Sequence, residues 1–264
     1  MYDFAYHRPA SLAEAAKLLG SIDEAKLMSG GMTLIPTLKQ RLARPAALID
    51  LGAIKELAGI EITGDAVRIG ALTTHADVAM SADVGRAIPA LAHLAGEIGD
   101  PAVRARGTIG GSISNNDPTA DYPAAALALG ATIHSNERSI AADDFFTGMF
   151  ETALRPTEIL TGVSFPVPDK AAYVKFSNPA SRYAIVGVFV AKTRSAVRVA
   201  VTGAGTSVFR QREMEAALTE RWDPEAIAGI SQPSDLLNTD LHASAEYRAH
   251  LVTALTRRAV VAAR

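Results

Sequence analysis

Two diglycine segments place the strongest limit on how this chain can fold. The first, Met28-Ser29-Gly30-Gly31-Met32-Thr33-Leu34, continues a short strand-like run over Lys26–Ser29 and leads into a helical pattern over Leu34–Leu42. The second, Arg106-Gly107-Thr108-Ile109-Gly110-Gly111-Ser112-Ile113-Ser114-Asn115-Asn116-Asp117-Pro118, lies in an irregular stretch from Gly99 to Pro123. Glycines at such points permit positive φ and let successive N–H groups approach a phosphate. The helix start behind the first pair adds favourable partial charge. The second segment adds hydroxyl and amide side chains suited to sugar and diphosphate oxygens. One diglycine alone reads as a turn. Two of them, each flanked by Ser or Thr, point to a dinucleotide, with Gly99–Pro123 as a ligand-binding wrap.

The surrounding pattern mixes helices and strands. Ser11-Leu12-Ala13-Glu14 has capping-box spacing and predicts a helix closed by Gly20 in the left-handed C′ position. Ala47–Leu51 and Val67–Leu72 read as strands, and Thr74-His75-Ala76-Asp77 as a helix start. Ile88–Ile98 and Pro123–Leu129 read as helices, Ala131–His134 and Ile159–Phe165 as strands. Pro166-Val167-Pro168-Asp169-Lys170 marks a boundary. Beyond it, strands at Tyr173–Phe176, Ile185–Ala191 and Val197–Thr202 are joined by helices at Met214–Leu218, Pro224–Ile230 and Ala243–Ala262, the pattern of a small α+β domain. Val199–Val208 opens like a dinucleotide fingerprint with Gly203 and Gly205, but Val208 occupies the third glycine position, so it reads as a strand-end turn.

Several kinds of chemistry are excluded. With no cysteine, the chain carries no disulfide, thiolate zinc site or iron–sulfur cluster of its own. A net charge of -2 gives no general attraction to nucleic acid. The start Met1–Pro9 has no signal-peptide pattern, and the most apolar stretches, Ala124–Ile133 and Ala184–Ala191, are too short to span a bilayer. A soluble, cytoplasmic protein is expected. The six histidines lack metal-ligand spacing, and no nucleophile elbow or Walker loop is present, so neither a catalytic residue nor a metal site is expected. Asp143-Asp144 reads as a turn cap, and the stretch with His242, Glu246, Arg248 and His250 as a solvated helix face. A bound cofactor is then the natural carrier of chemistry.

An ordered series of motifs runs through nearly the whole chain. It comprises Gly30–Pro36 with Lys39, Arg41 and Leu42, then Ile49-Asp50-Leu51, Arg104–Gly111, Asp117–Ala124, Asp144–Gly148, Thr152-Ala153-Leu154, Glu158–Thr161 and Leu237–Arg248. In this the chain resembles the FAD-binding medium subunits of molybdenum hydroxylases of the carbon monoxide/xanthine dehydrogenase type. The resemblance implies an α+β protein: a two-subdomain FAD-binding region of the vanillyl-alcohol-oxidase (PCMH) type over 1–168, divided near residue 57 into about 1–57 and 58–168, then a C-terminal sheet-plus-helices domain over 169–264. It implies that Gly30, Gly31, Met32, Thr33 and Leu34, with Thr108, Gly110, Gly111 and Ser112, hold the FAD diphosphate and adjoining sugar. Asp121 would accept from a cofactor hydroxyl, Leu160 would pack near the nucleotide end, Lys175 would lie close to the flavin and Tyr183 against its ring. The implied partners are an iron–sulfur small subunit and a molybdopterin large subunit, with this chain's FAD relaying electrons to an external acceptor. Met32-Thr33, Ala105, Ser112 and Arg182 depart from common family residues, which bears on flavin tuning and the acceptor. A free-standing PCMH-type flavin oxidoreductase and a nucleotide-binding scaffold without electron transfer stand beside this reading.

Overall fold

The computed structural model describes residues 1–263. The chain begins with β1 (Ala5–His7), α1 (Leu12–Ser21), β2 (Ala25–Met28), α2 (Leu34–Lys39) and β3 (Ala47–Asp50), which form a parallel three-stranded sheet in the order β1-β3-β2. Ser11 caps α1 by accepting from the Glu14 amide, while the Glu14 carboxylate reaches back to the amide of Ala10. Gly20 does not close this helix as expected. The α-helix runs on to Ser21, and extended Ile22 is its C-cap, its amide held by Leu18 O. Ala15, Ile49, Leu51, Ile54, Leu57 and Ile159 make a small core beneath the sheet.

The second part is built on a five-stranded antiparallel sheet. Its elements in chain order are β4 (Ile60–Thr63), β5 (Ala66–Gly70), α3 (His75–Met80), α4 (Ala82–Ala87), α5 (Pro89–Gly96), α6 (Pro101–Arg106), α7 (Ile109–Asn115), α8 (Tyr122–Leu129), β6 (Thr132–Ser135), β7 (Ser139–Ala141), α9 (Ala142–Phe145), β8 (Phe146–Gly148), β9 (Glu151–Thr152) and β10 (Leu160–Pro166). The sheet order is β4-β5-β10-β6-β7, with β8 and β9 as a separate hairpin. The expected structureless wrap of Gly99–Pro123 is instead largely helical. Asp100 caps α6 through the Val103 amide ahead of Pro101, and Thr108 caps α7 through the Gly111 amide. These local side-chain bonds outweigh the glycine content.

The third part is the antiparallel sheet β11 (Lys170–Ser177), β12 (Ala184–Lys192), β13 (Val197–Thr202) and β14 (Phe209–Arg210), with α10 (Arg212–Glu220) and α11 (Ala245–Ala262) on one face. Alternation assigns its two faces. Ala172, Val186, Val188, Val190, Val199 and Val201 meet the helices, whereas Tyr173, Phe189, Ala191 and Ala200 join the large core around α8. Helix α8 is buried at every residue because it lies between the second and third sheets. Gly203 takes φ +80° just after β13, the turn expected there.

Three smaller expectations fail for tertiary reasons. Asp143 does not cap a turn but pairs with Arg198 and Arg210, tying α9 to the third sheet. Arg248 is 3% exposed rather than solvated: its guanidinium donates to Ile185 O, Gly203 O and Asp240. Pro224–Ile230 forms only a single 3-10 turn over Pro224–Ile227.

Candidate functional site

The two diglycine segments meet. An added Cβ on Gly30 would lie 1.9 Å from the Arg106 carbonyl oxygen, and Ser29 Oγ accepts from Thr108 Oγ1 at 3.1 Å. Along this seam runs a cleft of about 680 Å3, within the usual range for cofactor sites. Its walls come from all three parts of the chain: β2 and the first diglycine loop, the α5–α7 region with Asp121, the Pro156–Leu160 segment, and Ala180–Tyr183 from the loop between β11 and β12.

The two segments offer different surfaces to a ligand. Among the described residues, the amides of Gly30, Gly31, Met32 and Thr33 donate no hydrogen bond, and Gly31 takes φ +73°. This is a concave run of free N–H groups, suited to an anion. In the second segment the same resource is spent internally. Ile109 N donates to Thr73 O, Gly110 N to Ala71 O, and Gly111 N to Thr108 Oγ1. What the second segment has left for a ligand is side chains: the hydroxyls of Ser112 and Ser114, the Asn115 amide, and the remaining lone pair of Thr108 Oγ1, whose proton goes to Ser29 Oγ.

Asp121, at the foot of the cleft, is 4% exposed. Its Oδ1 takes the Tyr173 hydroxyl and the Lys175 ammonium, the latter at 3.0 Å, while no described residue donates to Oδ2. Burial raises the carboxyl pKa, opposed by the charge of Lys175 and by the hydrogen bonds from Tyr173 and Lys175. Lys175 in turn donates to Glu97 O at 2.8 Å. At the other end, the Glu158 carboxylate accepts from Arg138 Nε (2.7 Å), the Arg155 amide (2.8 Å) and Ser135 Oγ (3.2 Å). These bonds, that from Arg138 foremost, pull its pKa down to about 2. The fixed carboxylate anchors the segment that presents Ile159 and Leu160 to the cleft.

Comparison with known proteins places this architecture. Residues 2–168 match the family described as FAD binding domain in molybdopterin dehydrogenase, and residues 171–263 match the CO dehydrogenase flavoprotein C-terminal domain. The chain belongs to this family. Its cofactor is FAD, and it is an oxidoreductase subunit of the molybdenum hydroxylase type. It is 36% identical to the nicotine 6-hydroxylase medium subunit of Paenarthrobacter nicotinovorans, over 98% of this chain and 96% of that one. Carbon monoxide dehydrogenase from Hydrogenophaga pseudoflava superposes with a TM-score of 0.88 at 34% identity, covering 99% of this chain and 97% of that one. Quinoline 2-oxidoreductase from Pseudomonas putida 86 gives 0.89 at 27% identity, covering 99% and 96%. These are medium chains and multi-subunit enzymes, so this flavoprotein has partner subunits. Among the described residues, no helix is long and apolar enough to cross a membrane.

The residues present fit FAD: a nest of free amides for a diphosphate, hydroxyls opposite it, and an unpartnered carboxylate oxygen for a ligand hydroxyl. The structure brings Gly30, Gly31, Met32, Thr33, Leu34, Thr108, Gly110, Gly111, Ser112, Asp121, Leu160 and Tyr183 to the walls of one cleft. Lys175 is not among the residues that line it. Its ammonium is turned inward onto Asp121, because a carboxylate this deeply buried needs a compensating cation. Sequence reasoning passed over Ser29, His75, Gly107 and Glu158, all on the cleft wall. Ser29 and Gly107 adjoin the diglycines and were legible as neighbours. His75 carried only a helix-start signal, and Glu158 only its place in a family motif.

Proposed function

We propose that this chain is the electron-relaying flavoprotein of a three-part enzyme, taking electrons from an iron–sulfur subunit served by a molybdopterin subunit and passing them to an external acceptor. The observation that supports this most is the cleft itself: it has the features of a dinucleotide cradle, and among the described residues no cluster of three or more His, Cys, Asp or Glu side chains is placed to hold a metal. When bound there, FAD supplies the redox chemistry. The chain's residues do the rest. The Gly30–Thr33 amides and the hydroxyls of Thr108 and Ser112 hold the diphosphate and neighbouring sugar. Asp121 Oδ2 accepts from a cofactor hydroxyl, with Lys175 behind it as counter-charge rather than as a flavin contact. Leu160 packs at the nucleotide end. Tyr183, 46% exposed and on the cleft rim, covers the flavin ring.

The same proposal divides the chain at about residues 57 and 168 and gives it a cytoplasmic address. The three sheets, none sharing a strand with another, support the division. FAD is held non-covalently, since the chain has no cysteine, neither diglycine segment contains a histidine, and His75, the one histidine on the cleft wall among the described residues, is buried. The test is co-expression with the iron–sulfur and molybdenum subunits. A co-purifying complex is expected whose substrate-dependent flavin reduction disappears when the iron–sulfur subunit is omitted. Substrate-dependent reduction of the FAD on this chain alone would overturn the relay.

A further inference from the structure

The groups that fix the Asp121 carboxylate all come from the third part of the chain. Tyr173 and Lys175, two residues apart on β11 and so on one face of its sheet, both donate to Asp121 Oδ1. The Tyr173 ring is buried and tilted against Phe189, centroids 6.1 Å apart, which leaves its hydroxyl little freedom. That hydroxyl has room only because Gly187 stands opposite Lys175 on β12. An added Cβ there would collide with it and lie 2.9 Å from Thr202 Cγ2. Thr202 in turn holds the backbone ahead of Asp121. Its Oγ1 lies 2.6 Å from Ala120 O and 3.0 Å from Pro118 O, and the Gly203 amide donates to Pro118 O at 2.8 Å.

The result is an asymmetric carboxylate. Both donors sit on Oδ1, and Oδ2 has no partner among the described residues. Oδ2 is nevertheless not one of the atoms sealed from solvent, and Asp121 lines the cleft, so a ligand hydroxyl can reach it. The last torsion of an aspartate is soft. A lysine does little to choose between the two oxygens, because a flexible ammonium can follow either. A phenol locked in a core cannot. Lys175 supplies the charge that offsets burial, and Tyr173 supplies the direction.

We propose that Tyr173 is a positioning residue for the FAD site, its hydroxyl holding Asp121 by Oδ1 so that Oδ2 stays presented to a hydroxyl of the cofactor. This rests on the assignment of Asp121 to that hydroxyl.

The titratable groups around the carboxylate are Lys175 and Tyr173 of β11, Glu97 just after α5, Tyr122 of α8 and Tyr183 of the loop between β11 and β12. Burial and the neighbouring carboxylates raise the three tyrosines, which stay protonated at and below neutral pH. Burial raises Asp121, while the charge of Lys175 and the hydrogen bonds from Tyr173 and Lys175 lower it. Removing the Tyr173 hydroxyl takes away one lowering influence. Since the ionised carboxylate is the acceptor, FAD affinity is full above the Asp121 pKa and falls as pH drops through it. Without the Tyr173 hydroxyl that fall should begin at higher pH.

The experiment is titration of apoprotein with FAD, following flavin fluorescence, for wild type, Tyr173→Phe, Asp121→Asn and the double variant, from neutral pH downward. Phenylalanine keeps the ring against Phe189 and removes only the hydroxyl. Tyr173→Phe is expected to weaken FAD binding roughly threefold to tenfold at neutral pH, the effect of one hydrogen bond. In the Asp121→Asn background the same change should have little further effect, and the acid-side fall in affinity should be absent. An equal factor in both backgrounds, or a Tyr173→Phe profile lowered uniformly at every pH, would mean that Tyr173 only packs the core and would overturn the proposal. Should Tyr173→Phe fold poorly, the structure of the wild-type protein with FAD decides: Oδ1 should carry the Tyr173 hydroxyl and Oδ2 the cofactor hydroxyl, and a carboxylate turned away from Tyr173 refutes the role. If Asp121→Asn binds FAD as wild type does, the assignment of Asp121 fails and takes this proposal with it. If Asp121→Asn weakens binding while Tyr173→Phe does not, only the positioning role is wrong.

Discussion

The two diglycine segments look alike as sequence and behave differently as structure. Gly30-Gly31 ends a parallel strand and leaves a run of amides without acceptors, with Gly31 in the left-handed region. Gly110-Gly111 sits inside the first turn of α7 at ordinary helical φ, and the amides of this turn are bonded to Thr73, Ala71 and Thr108. One diglycine therefore makes a ligand surface, while the other makes a close contact. An added Cβ on Gly110 would lie 2.5 Å from Ala71 Cβ and 2.6 Å from Ala71 O. Gly30 shares that second character, since it is the residue on which the Arg106 backbone rests. The lesson is that the same dipeptide serves phosphate approach or backbone approach according to what its N–H groups find.

Substitutions can break this comparison, and those against backbone should do most damage. Gly30→Ala and Gly110→Ala place a methyl on carbonyl and Cα atoms that cannot rotate away. Each should destabilise the apoprotein by on the order of 1–3 kcal/mol and abolish flavin retention with it. Thermal melting without FAD is the measurement; an unchanged midpoint for both would mean the segments are not pressed together as described.

Next in size is Gly111→Asp. Here an added Cβ meets Ser29 Oγ at 2.7 Å and Thr108 Oγ1 at 3.0 Å, both ends of side chains that can turn. The positive-φ strain that a glycine pair invites is absent at this position, because Gly111 is helical. The effect should therefore fall on the ligand. A carboxylate beside the diphosphate site should eliminate flavin absorbance from the purified protein while the apoprotein melts near wild type. FAD at full occupancy would show that the second segment does not face the diphosphate.

Gly31→Ala probes the nest itself with a smaller change. Left-handed backbone costs a non-glycine residue roughly 1–2 kcal/mol, and the added methyl meets the mobile side chains of Ile35 and Met28 rather than backbone. A rise in the FAD dissociation constant of about tenfold is expected, read by fluorescence titration. If instead Gly111→Ala weakened FAD more than Gly31→Ala, the two roles would have to be exchanged.

The smallest binding effect belongs to Tyr183→Ala, remote from both segments. FAD should remain bound, and the flavin absorption spectrum or reoxidation rate should shift as the ring loses its cover. Identical spectra and kinetics would leave Tyr183 as packing alone.

Much of the fold was readable locally. Thr74 with Asp77 forms the capping box that begins α3, and Pro89–Gly96, Tyr122–Leu129 and Ala245–Ala262 lie where apolar periodicity placed helices. The strands of the third sheet extend only a few residues beyond their apolar runs. The segment read as a wrap was misjudged although its caps, Asp100 before Pro101 and Thr108 three residues before Gly111, were in plain sight. Glycine content was weighed above capping. Short edge elements such as Ile60–Thr63 and Ser139–Ala141 gave too little pattern to stand out.

By itself, then, the sequence pointed to a dinucleotide, which the family resemblance named as FAD, and determined most of the element order and the two places where backbone must come close to something. These rest on caps, periodicity and glycine, which act over a few neighbouring residues. Tertiary structure decided what each glycine is close to, which amides stay free, that Lys175 serves Asp121, and that Arg248 is buried. The reason is distance along the chain. Gly30 rests on Arg106, Gly110 on Ala71, Lys175 pairs across 54 residues with Asp121, and Arg248 reaches 63 residues to Ile185. Partners so far apart are chosen only when the three sheets pack, since a buried donor or acceptor takes whatever complementary group the packing delivers.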